Sequence, residues 1–311
     1  MKRKIIVVCG PTASGKTTMA VELAKEFNGE IISADSRQVY RRLDIGTGKD
    51  LKEYGKVTHH LIDICEPEES FSVFNWLPLA QKAILDILSR GKTPIITGGT
   101  GLYIQALVEG FKQTTAKKIK GKKYSRTELE NMEIDNLREI LKKMAPKIYE
   151  KIDQKNPIRL IRAIERAQEG IEISKSPPAY DFLQLAICLP REKLYQKIDR
   201  RVDERFSKEG MLEEVSELLQ SGVDPKWLNR LGLEYRIISN FLLENPSKLE
   251  SNHKPDRTFQ SKEFKQMAQE LKYKIHAFAR RQITWFKRFP EIIWVDNLDQ
   301  AQKEAAKFLC K

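Results

Sequence analysis

The segment at residues 10–17 has the spacing of a phosphate-binding loop. It reads GPTASGKT and matches the pattern G-x-x-x-x-G-K-[ST], in which glycines let successive backbone N–H groups curl around an anion. It follows an apolar run at residues 5–9 and opens an amphipathic helical pattern, so the positive end of a helix dipole adds to the attraction. In such a loop Lys16 reaches the outer phosphate oxygens, and the Thr17 hydroxyl can ligate Mg²⁺. The predicted loop, which would bind a diphosphate or a triphosphate, comprises Gly10, Pro11, Thr12, Ala13, Ser14, Gly15, Lys16 and Thr17.

An aspartate and a threonine follow two further apolar runs. Asp35 comes just after the run at residues 31–33, and Thr100 lies in a GGTGLY segment directly after the run at residues 94–97. The carboxyl ends of parallel strands meet at one edge of a sheet, where ligands of open α/β sheets bind, so both side chains are expected beside the phosphate loop. A solvent-facing aspartate and a plain glycine turn are the alternatives.

Short apolar runs and helical patterns take turns along most of the chain. The runs lack polar alternation, which is typical of strands covered on both faces. Strands are predicted at residues 5–9, 31–33, 61–64, 94–97, 183–189 and 292–295, and helices after Gly15 and at residues 74–88. The predicted fold class is α/β, a P-loop NTPase-like parallel sheet flanked by helices.

The regular order lapses between about residues 112 and 179. This stretch is lysine-rich and then helical, with helices predicted at residues 125–143, 147–152 and 157–168. We therefore expect a core of residues 1–112 and 180–311 interrupted by an all-helical insert domain of residues 113–179. Beyond it the sequence predicts a long helix around residues 200–219, an exposed polar loop at residues 244–261 and a basic helix at about residues 263–289.

Charge favours a polyanionic partner. The chain has 55 Lys+Arg against 43 Asp+Glu, a net charge of +12. Residues 112–123 contain six lysines and no acid, and residues 272–288 contain six Lys or Arg and again no acid, although solvated faces could account for both. A hydrophobic content of 41% excludes wholesale disorder, and no apolar run approaches the roughly eighteen residues of a membrane span. The start lacks a signal peptide, so a cytoplasmic protein is expected.

Five motifs together resemble those of the tRNA dimethylallyltransferases. They are GPTASGKT at residues 10–17, ADSRQVYRRLDIGTGK at 34–49, HHLID at 59–63, PIITGGTGLY at 94–103 and ARRQITWFKR at 279–288. The first is shared with other phosphate-loop proteins, but its combination with DSRQVY and RQITW is specific. The motifs stand in the family's order and span nearly the whole chain.

The resemblance implies a prenyl transfer to tRNA. A dimethylallyl group would pass from dimethylallyl diphosphate to the exocyclic N6 of the adenosine 3'-adjacent to the anticodon, with that base flipped into a channel. The phosphate loop with Mg²⁺ would hold the diphosphate, Asp35 would accept the proton of the amine, and Thr100 would help to position both. Arg230 is the candidate for a family arginine that normally precedes a Gly-Tyr pair, although the spacing differs here. The implied catalytic residues are Asp35, Thr100, Lys16 and Arg230.

The resemblance also implies a set of tRNA contacts. Arg159 and Arg162 form an i, i+3 pair on one helical face, for which an ordinary surface pair is the alternative. A monomer is expected, because tRNA would occupy the main basic face. The implied tRNA-binding residues are Asp35, Ser36, Arg37, Gln38, Thr100, Arg126, Ile158, Arg159, Leu160, Ile161, Arg162, His276, Arg280, Arg281 and Gln282.

Two other function classes stay open at this point. The phosphate loop alone would favour a P-loop small-molecule kinase, and the basic stretches would suit a non-enzymatic RNA-binding protein switched by ATP. A metabolite kinase has no need of a polyanion surface, whereas either alternative requires tight binding of ATP.

Overall fold

The computed structural model describes residues 2–115, 124–177, 179–246 and 261–310. The chain forms two compact units, a core unit of Met1–Val108 with Pro178–Lys311 and an insert of Glu109–Pro177. The lysines at residues 117–123 and most of the polar loop predicted at residues 244–261 lie outside the described residues.

A six-stranded parallel sheet forms the centre of the core unit. Its strand order is β3-β2-β4-β1-β7-β8, with β1 near the middle. The side chains of β1 from Ile5 to Cys9 are fully buried, as expected for a strand covered by helices on both faces. The strands are β1 Arg3–Cys9, β2 Gly29–Ser33, β3 His59–His60, β4 Thr93–Gly98, β5 Phe111–Thr115, β6 Ile171–Lys175, β7 Tyr180–Ile187 and β8 Ile292–Val295.

Helices cover the sheet and extend beyond its edge. The helices of the described residues are α1 Lys16–Glu26, α2 Val73–Ser89, α3 Gly101–Val108, α4 Arg126–Glu130, α5 Ile134–Met144, α6 Pro146–Tyr149, α7 Pro157–Glu169, α8 Arg191–Glu204, α9 Met211–Gln220, α10 Pro225–Leu231, α11 Leu233–Glu244, α12 Lys262–Phe286 and α13 Leu298–Cys310. A 3₁₀ turn spans Leu51–Tyr54 and a π-helical turn spans Arg205–Glu209. Over the part of the chain that is described, none of these helices is both long and apolar enough to cross a bilayer.

The predicted α/β class with a parallel sheet is confirmed, but two elements predicted in the core unit are wrong. Residues 61–64 form no strand, because Leu61 and Asp63 take positive φ angles of 64° and 56°, which an extended strand cannot contain. The single helix predicted over residues 200–219 is three segments, α8, the π-helical turn and α9. Gly210 separates the last two, with φ 82° in the left-handed region.

The insert was expected to be all-helical, but it also contains two strands. Its first and last segments, β5 and β6, pair with each other as an antiparallel ribbon. With this ribbon included, the insert spans Glu109–Pro177. The helix predicted over residues 125–143 is split into α4 and α5. Between the helices lies a small core of its own, formed by Leu129, Leu137, Leu141, Leu160, Ile161, Ala163 and Ile164.

Three strand ends come together at the carboxyl edge of the main sheet. β1 leads into the phosphate loop, β2 into Asp35, and β4 into the glycine turn that precedes Thr100. The turn after β4 and the segment after β2 touch through their backbones. A Cβ on Gly98 would collide with the carbonyl oxygen of Ala34, and the Thr100 N–H donates to that same oxygen at 3.2 Å. Only glycine fits at residue 98, and the contact fixes the edge on which the site is built.

Candidate active site

The phosphate loop is a tight turn between β1 and α1. Three of its residues take positive φ angles, 143° at Gly10, 60° at Ala13 and 93° at Gly15. The Lys16 ammonium donates to the carbonyl oxygen of Pro11 at 3.3 Å. The Ser14 hydroxyl is buried and has no hydrogen-bond partner among the described residues. A compact loop with an unmet buried hydroxyl is suited to receive the oxygens of an anion.

A polar cleft opens against this loop within the core unit. It is bounded by the phosphate loop, the segments that follow β2 and β4, the loop at residues 46–48, and side chains of α8, its π-helical continuation, α11 and α12. The residues that line it are Thr12, Lys16, Thr17, Asp35, Arg37, Gln38, Gly46, Thr47, Gly48, Tyr54, Thr97, Gly98, Arg201, Arg205, Glu234, Phe278 and Gln282.

Asp35 faces this cleft and is held in place by its own loop. One of its carboxylate oxygens accepts the backbone N–H of Arg37 at 2.9 Å. The neighbouring Ser36 N–H donates to the Thr100 hydroxyl at 3.0 Å, and that hydroxyl donates to the Ser36 hydroxyl at 3.3 Å. Thr100 therefore braces the loop of Asp35, and it is not among the side chains that line the cleft.

Two arginines bring positive charge to the cleft, and sequence reasoning missed both. Arg205 is only 5% exposed, and its Nε and Nη2 have no hydrogen-bond partner among the described residues. Its nearest carboxylate oxygens belong to Asp50 and Glu209, at 3.8 and 3.9 Å. Burial, together with repulsion from Arg201, lowers the pKa of Arg205 to about 10. Arg201 is paired with Asp50 and points into the same cleft.

Lys16 is electrostatically strained in the free protein. Burial lowers the pKa of its ammonium to about 8, and Arg201 adds repulsion, against the attraction of Asp35 and Asp50. Arg37 is already neutralised by Glu234, whose carboxylate oxygen accepts from its Nη1 at 2.6 Å. A cleft with poorly compensated cations is suited to a polyanion, because a bound anion would supply the missing hydrogen bonds and charge.

The loop at residues 46–48 is shaped around the two arginines. A Cβ on Gly48 would collide with the guanidinium groups of both Arg201 and Arg205. The start of the loop is fixed by Glu214, whose carboxylate accepts the backbone N–H groups of residues 44, 45 and 46 at 2.7 to 3.0 Å. Gln38 fixes its end by donating to the Gly48 carbonyl at 2.8 Å.

The structure does not bring Arg230 to the cleft. It is exposed near the end of α10 and is not among the lining residues. α10 buries Trp227 and Leu228, so the side chain two residues later points outward. The signal that could have identified Arg201 and Arg205 is their i, i+4 spacing beside an apolar stripe at residues 198, 202 and 206.

Several side chains expected to contact tRNA are occupied inside the core unit. Gln282 is 6% exposed; its carbonyl oxygen accepts from Thr12 N at 2.8 Å, and its amide donates to Gly99 O at 2.9 Å. His276 is buried, stacks on Tyr195 and hydrogen-bonds Asp199. Both side chains lie on the inner face of α12 and join this helix to neighbouring segments by hydrogen bonds. The expected residues that remain exposed on α12 are Arg280 and Arg281.

In the insert, the expected contacts divide in the same way. Leu160 and Ile161 belong to its hydrophobic core, so their side chains are not available to a ligand. Ile158, Arg159 and Arg162 are exposed on α7. Arg126 is held by two glutamates, Glu130 at 2.7 Å and Glu165 at 2.9 Å.

The sequence is similar along nearly its whole length to known proteins. A protein-family model described as IPP transferase matches residues 38–289, and one described as isopentenyl transferase matches residues 3–62. The tRNA dimethylallyltransferase 1 of Syntrophus aciditrophicus is 38% identical over 99% of this chain and 98% of its own length. The tRNA dimethylallyltransferase 2 of Trichlorobacter lovleyi is 40% identical over 98% of this chain and 96% of its own length.

The fold is also similar to solved structures. The full-length tRNA isopentenylpyrophosphate transferase from Bacillus halodurans superposes with a TM-score of 0.68 at 33% identity, covering 99% of this chain and 96% of its own. A eukaryotic dimethylallyltransferase acting on tRNA superposes with a TM-score of 0.70 at 25% identity, covering 98% of this chain and 77% of its own. With a family model over most of the chain and relatives matched from end to end, the chain belongs to the IPP transferase family, the enzyme family of the tRNA dimethylallyltransferases.

Proposed function

We propose that this chain transfers a dimethylallyl group from dimethylallyl diphosphate to N6 of the adenosine 3'-adjacent to the anticodon in tRNAs and releases diphosphate. The observation that carries the proposal is the cleft, in which a phosphate loop, the buried Arg205 and the half-buried Arg201 face the same space as Asp35. The names of full-length relatives support the same reaction.

Departure of the diphosphate is the step that the basic side chains would assist. As the carbon–oxygen bond of the donor breaks, negative charge grows on the diphosphate while the allylic carbon becomes electrophilic. Lys16, Arg201 and Arg205 line the cleft together with the phosphate loop, so their donors are in place before charge develops. Such preorganised donors stabilise a transition state because they need no reorganisation when it forms.

Asp35 is the proposed acceptor of the proton. The exocyclic amine of adenine is a poor nucleophile, since its lone pair is delocalised into the ring. Its N–H becomes acidic only as the new carbon–nitrogen bond forms, so an ordinary carboxylate can take the proton at that moment. The oxygen of Asp35 that does not accept from Arg37 is the one we assign to this step.

The residues of the cleft fit a magnesium ion held mainly by the donor. Among the described residues no three His, Cys, Asp or Glu side chains are close enough to form a metal site by themselves. Mg²⁺ commonly takes few protein ligands together with water and substrate phosphate oxygens, and the Thr17 hydroxyl lines the cleft for this role. The ion would supply charge neutralisation to the leaving diphosphate.

The tRNA would be bound through its backbone, and one base would leave the loop. Unstacking a base from a single-stranded anticodon loop costs about a few kcal/mol at most, which is less than flipping a base out of a duplex. The exposed arginines at residues 159, 162, 280 and 281 are the proposed contacts, and the net charge of +12 agrees with a polyanionic substrate. We propose a monomeric, cytoplasmic enzyme.

A transfer assay tests this function. Labelled dimethylallyl diphosphate, Mg²⁺ and an anticodon stem-loop would be incubated with the wild-type chain, and ATP binding would be measured in parallel. We expect label in the RNA, on N6 of the one adenosine, and weak binding of ATP. A folded protein that binds the stem-loop and ATP tightly but transfers no label would instead support the small-molecule kinase or the ATP-dependent switch.

Use of the donor should decline as the pH rises through about 8, because the Lys16 ammonium loses its proton there in the free protein. The pH dependence of kcat/KM for the donor reports groups of the free enzyme, so a rate profile between pH 6.5 and 9.5 measures this step. Loss of fold is not the cause, since a lysine whose folded pKa lies below the unfolded 10.5 adds stability as the pH rises from about 8. Lys16→Arg keeps its charge and should flatten the decline, whereas a flat wild-type profile would contradict the assignment.

A further inference from the structure

A second cavity, of about 450 Å³, lies in the core unit beside the phosphate loop. It touches the loop at Pro11, whereas the next residue, Thr12, lines the cleft already described. Its walls are apolar and consist of Pro11, Ile187, Leu189, Leu194, Ile283 and Trp294. The volume is within the range of about 300–1,000 Å³ that is usual for pockets that bind small molecules.

The opening of this cavity is cationic. Arg191, Arg280 and Lys287 line it with exposed side chains. The residues that form it, all within the described part of the chain, include no aspartate and no glutamate. An apolar interior with a positively charged opening is complementary to an amphiphile that has a hydrocarbon chain and an anionic head group.

Tyr195 holds two of these cations in a fixed arrangement. Its hydroxyl oxygen accepts from Arg191 Nε at 3.1 Å and from Arg280 Nη1 at 2.6 Å. The Tyr195 ring stacks on the buried His276 with centroids 3.9 Å apart and planes 4° apart, and His276 is anchored by Asp199 at 2.8 Å. Because the phenol accepts twice, its own O–H remains to donate outward. The two guanidinium groups are thus arranged before any ligand arrives, which lowers the entropy lost on binding.

We propose that this cavity binds a prenyl diphosphate whose chain is longer than dimethylallyl, with the chain among the apolar walls and the diphosphate on Arg191 and Arg280. A nucleobase fits less well, because its polar edge would face mostly aliphatic side chains and lose hydrogen bonds to water without replacement. The site is separate from the cleft and does not depend on the transfer reaction proposed above, but it shares Arg280 with the proposed tRNA contacts, so the two ligands would compete for that side chain. The cavity adjoins the cleft through Pro11, because this residue lines the cavity and its carbonyl oxygen accepts a hydrogen bond from Lys16.

Titration calorimetry with farnesyl diphosphate tests the site. The titration is run on the wild-type chain and on a Lys16→Ala/Arg205→Met variant, which lacks two cations of the cleft and none of the cavity, so binding that survives in this variant belongs to the cavity. We expect one farnesyl diphosphate per chain, and an affinity at least about tenfold weaker in an Arg191→Gln/Lys287→Gln variant. Thr284 also lines the cavity, so Thr284→Trp should fill the opening and prevent binding. The matched control is Lys274→Gln/Lys303→Gln, which removes the same charge from exposed positions outside the cavity and should bind like the wild type.

Three results would overturn the proposal. If the Lys16→Ala/Arg205→Met variant loses the binding, farnesyl diphosphate occupies the cleft alone. Equal affinity in the Arg191→Gln/Lys287→Gln variant and the wild type would show that the charged opening takes no part. If farnesyl diphosphate does not bind, while the Arg191→Gln/Lys287→Gln variant loses affinity for a stem-loop RNA, the opening serves RNA instead. None of these results bears on whether the wild-type chain transfers dimethylallyl groups.

Discussion

Asp35→Asn should slow prenyl transfer by about 10²–10⁴-fold, the usual contribution of a positioned general base. Asparagine keeps an oxygen that can accept the Arg37 N–H, so the loop after β2 should stay in place. What is lost is the carboxylate that would take the proton from the amine. We therefore expect kcat to fall while the affinities for the donor and for the stem-loop change little. Single-turnover transfer of labelled dimethylallyl, with separate binding measurements, separates these quantities.

The control for this variant is Asp181→Asn. Asp181 is an exposed carboxylate near the amino end of β7, at the edge of the sheet opposite the site. It should transfer at the wild-type rate. If Asp35→Asn also transfers within about threefold of the wild type, Asp35 does not act as the base, since a base contributes far more than that.

Arg205→Met should change activity and stability in opposite directions. Two nitrogens of the buried Arg205 guanidinium lack hydrogen-bond partners among the described residues, and its ion pairs with Asp50 and Glu209 are long, at 3.8 and 3.9 Å. An apolar side chain of similar length should therefore raise the free energy of unfolding by about 1 kcal/mol or more. Activity should decline, because the hydrogen-bond donor proposed to stabilise the leaving diphosphate is removed. The loss expected for one such donor is about 10²–10³-fold. Chemical denaturation and kcat/KM for the donor measure the two effects.

Arg230→Met is the matched control for this variant. It removes the same group from an exposed position outside the cleft, so stability and activity should stay close to those of the wild type. The comparison decides which arginine serves the diphosphate. A large loss in Arg230→Met with little change in Arg205→Met would reverse our assignment.

Local patterns allowed the phosphate loop and its sheet edge to be predicted from the sequence. The loop is defined by consecutive residues, and Asp35 and Thr100 follow apolar runs whose parallel arrangement places their ends together. The i, i+4 spacing of Arg201 and Arg205 is also a local signal, but spacing alone does not show the burial of Arg205. Its importance comes from tertiary burial against the loop at residues 46–48, and a reading of one continuous helix over residues 200–219 hides the turn that carries it.

The basic helix shows a pattern that charge alone obscures. Leu271, Ile275, Ala279, Gln282 and Phe286 recur at spacings of three or four and are all buried. That period places Gln282 on the inner face, so its polarity indicates a buried hydrogen-bonding role rather than a surface for RNA. In the insert the same reasoning assigns Leu160 and Ile161 to the core and leaves Arg159 and Arg162 outside. Spacing was therefore a better guide than residue type for these positions.

The two hydrogen bonds of Gln282 have a consequence for how the chain matures on the ribosome. They join α12 to Thr12 and Gly99, residues that are 270 and 183 positions earlier in the sequence. The ribosome therefore adds Gln282, which bonds the backbone of the phosphate loop, some 270 residues after Thr12 of that loop. Domains begin to fold during synthesis. A nascent chain that ends before residue 282 therefore has a phosphate loop without the hydrogen bond from Thr12 to Gln282. We therefore expect a nascent chain that lacks residue 282 to bind the proposed diphosphate donor weakly.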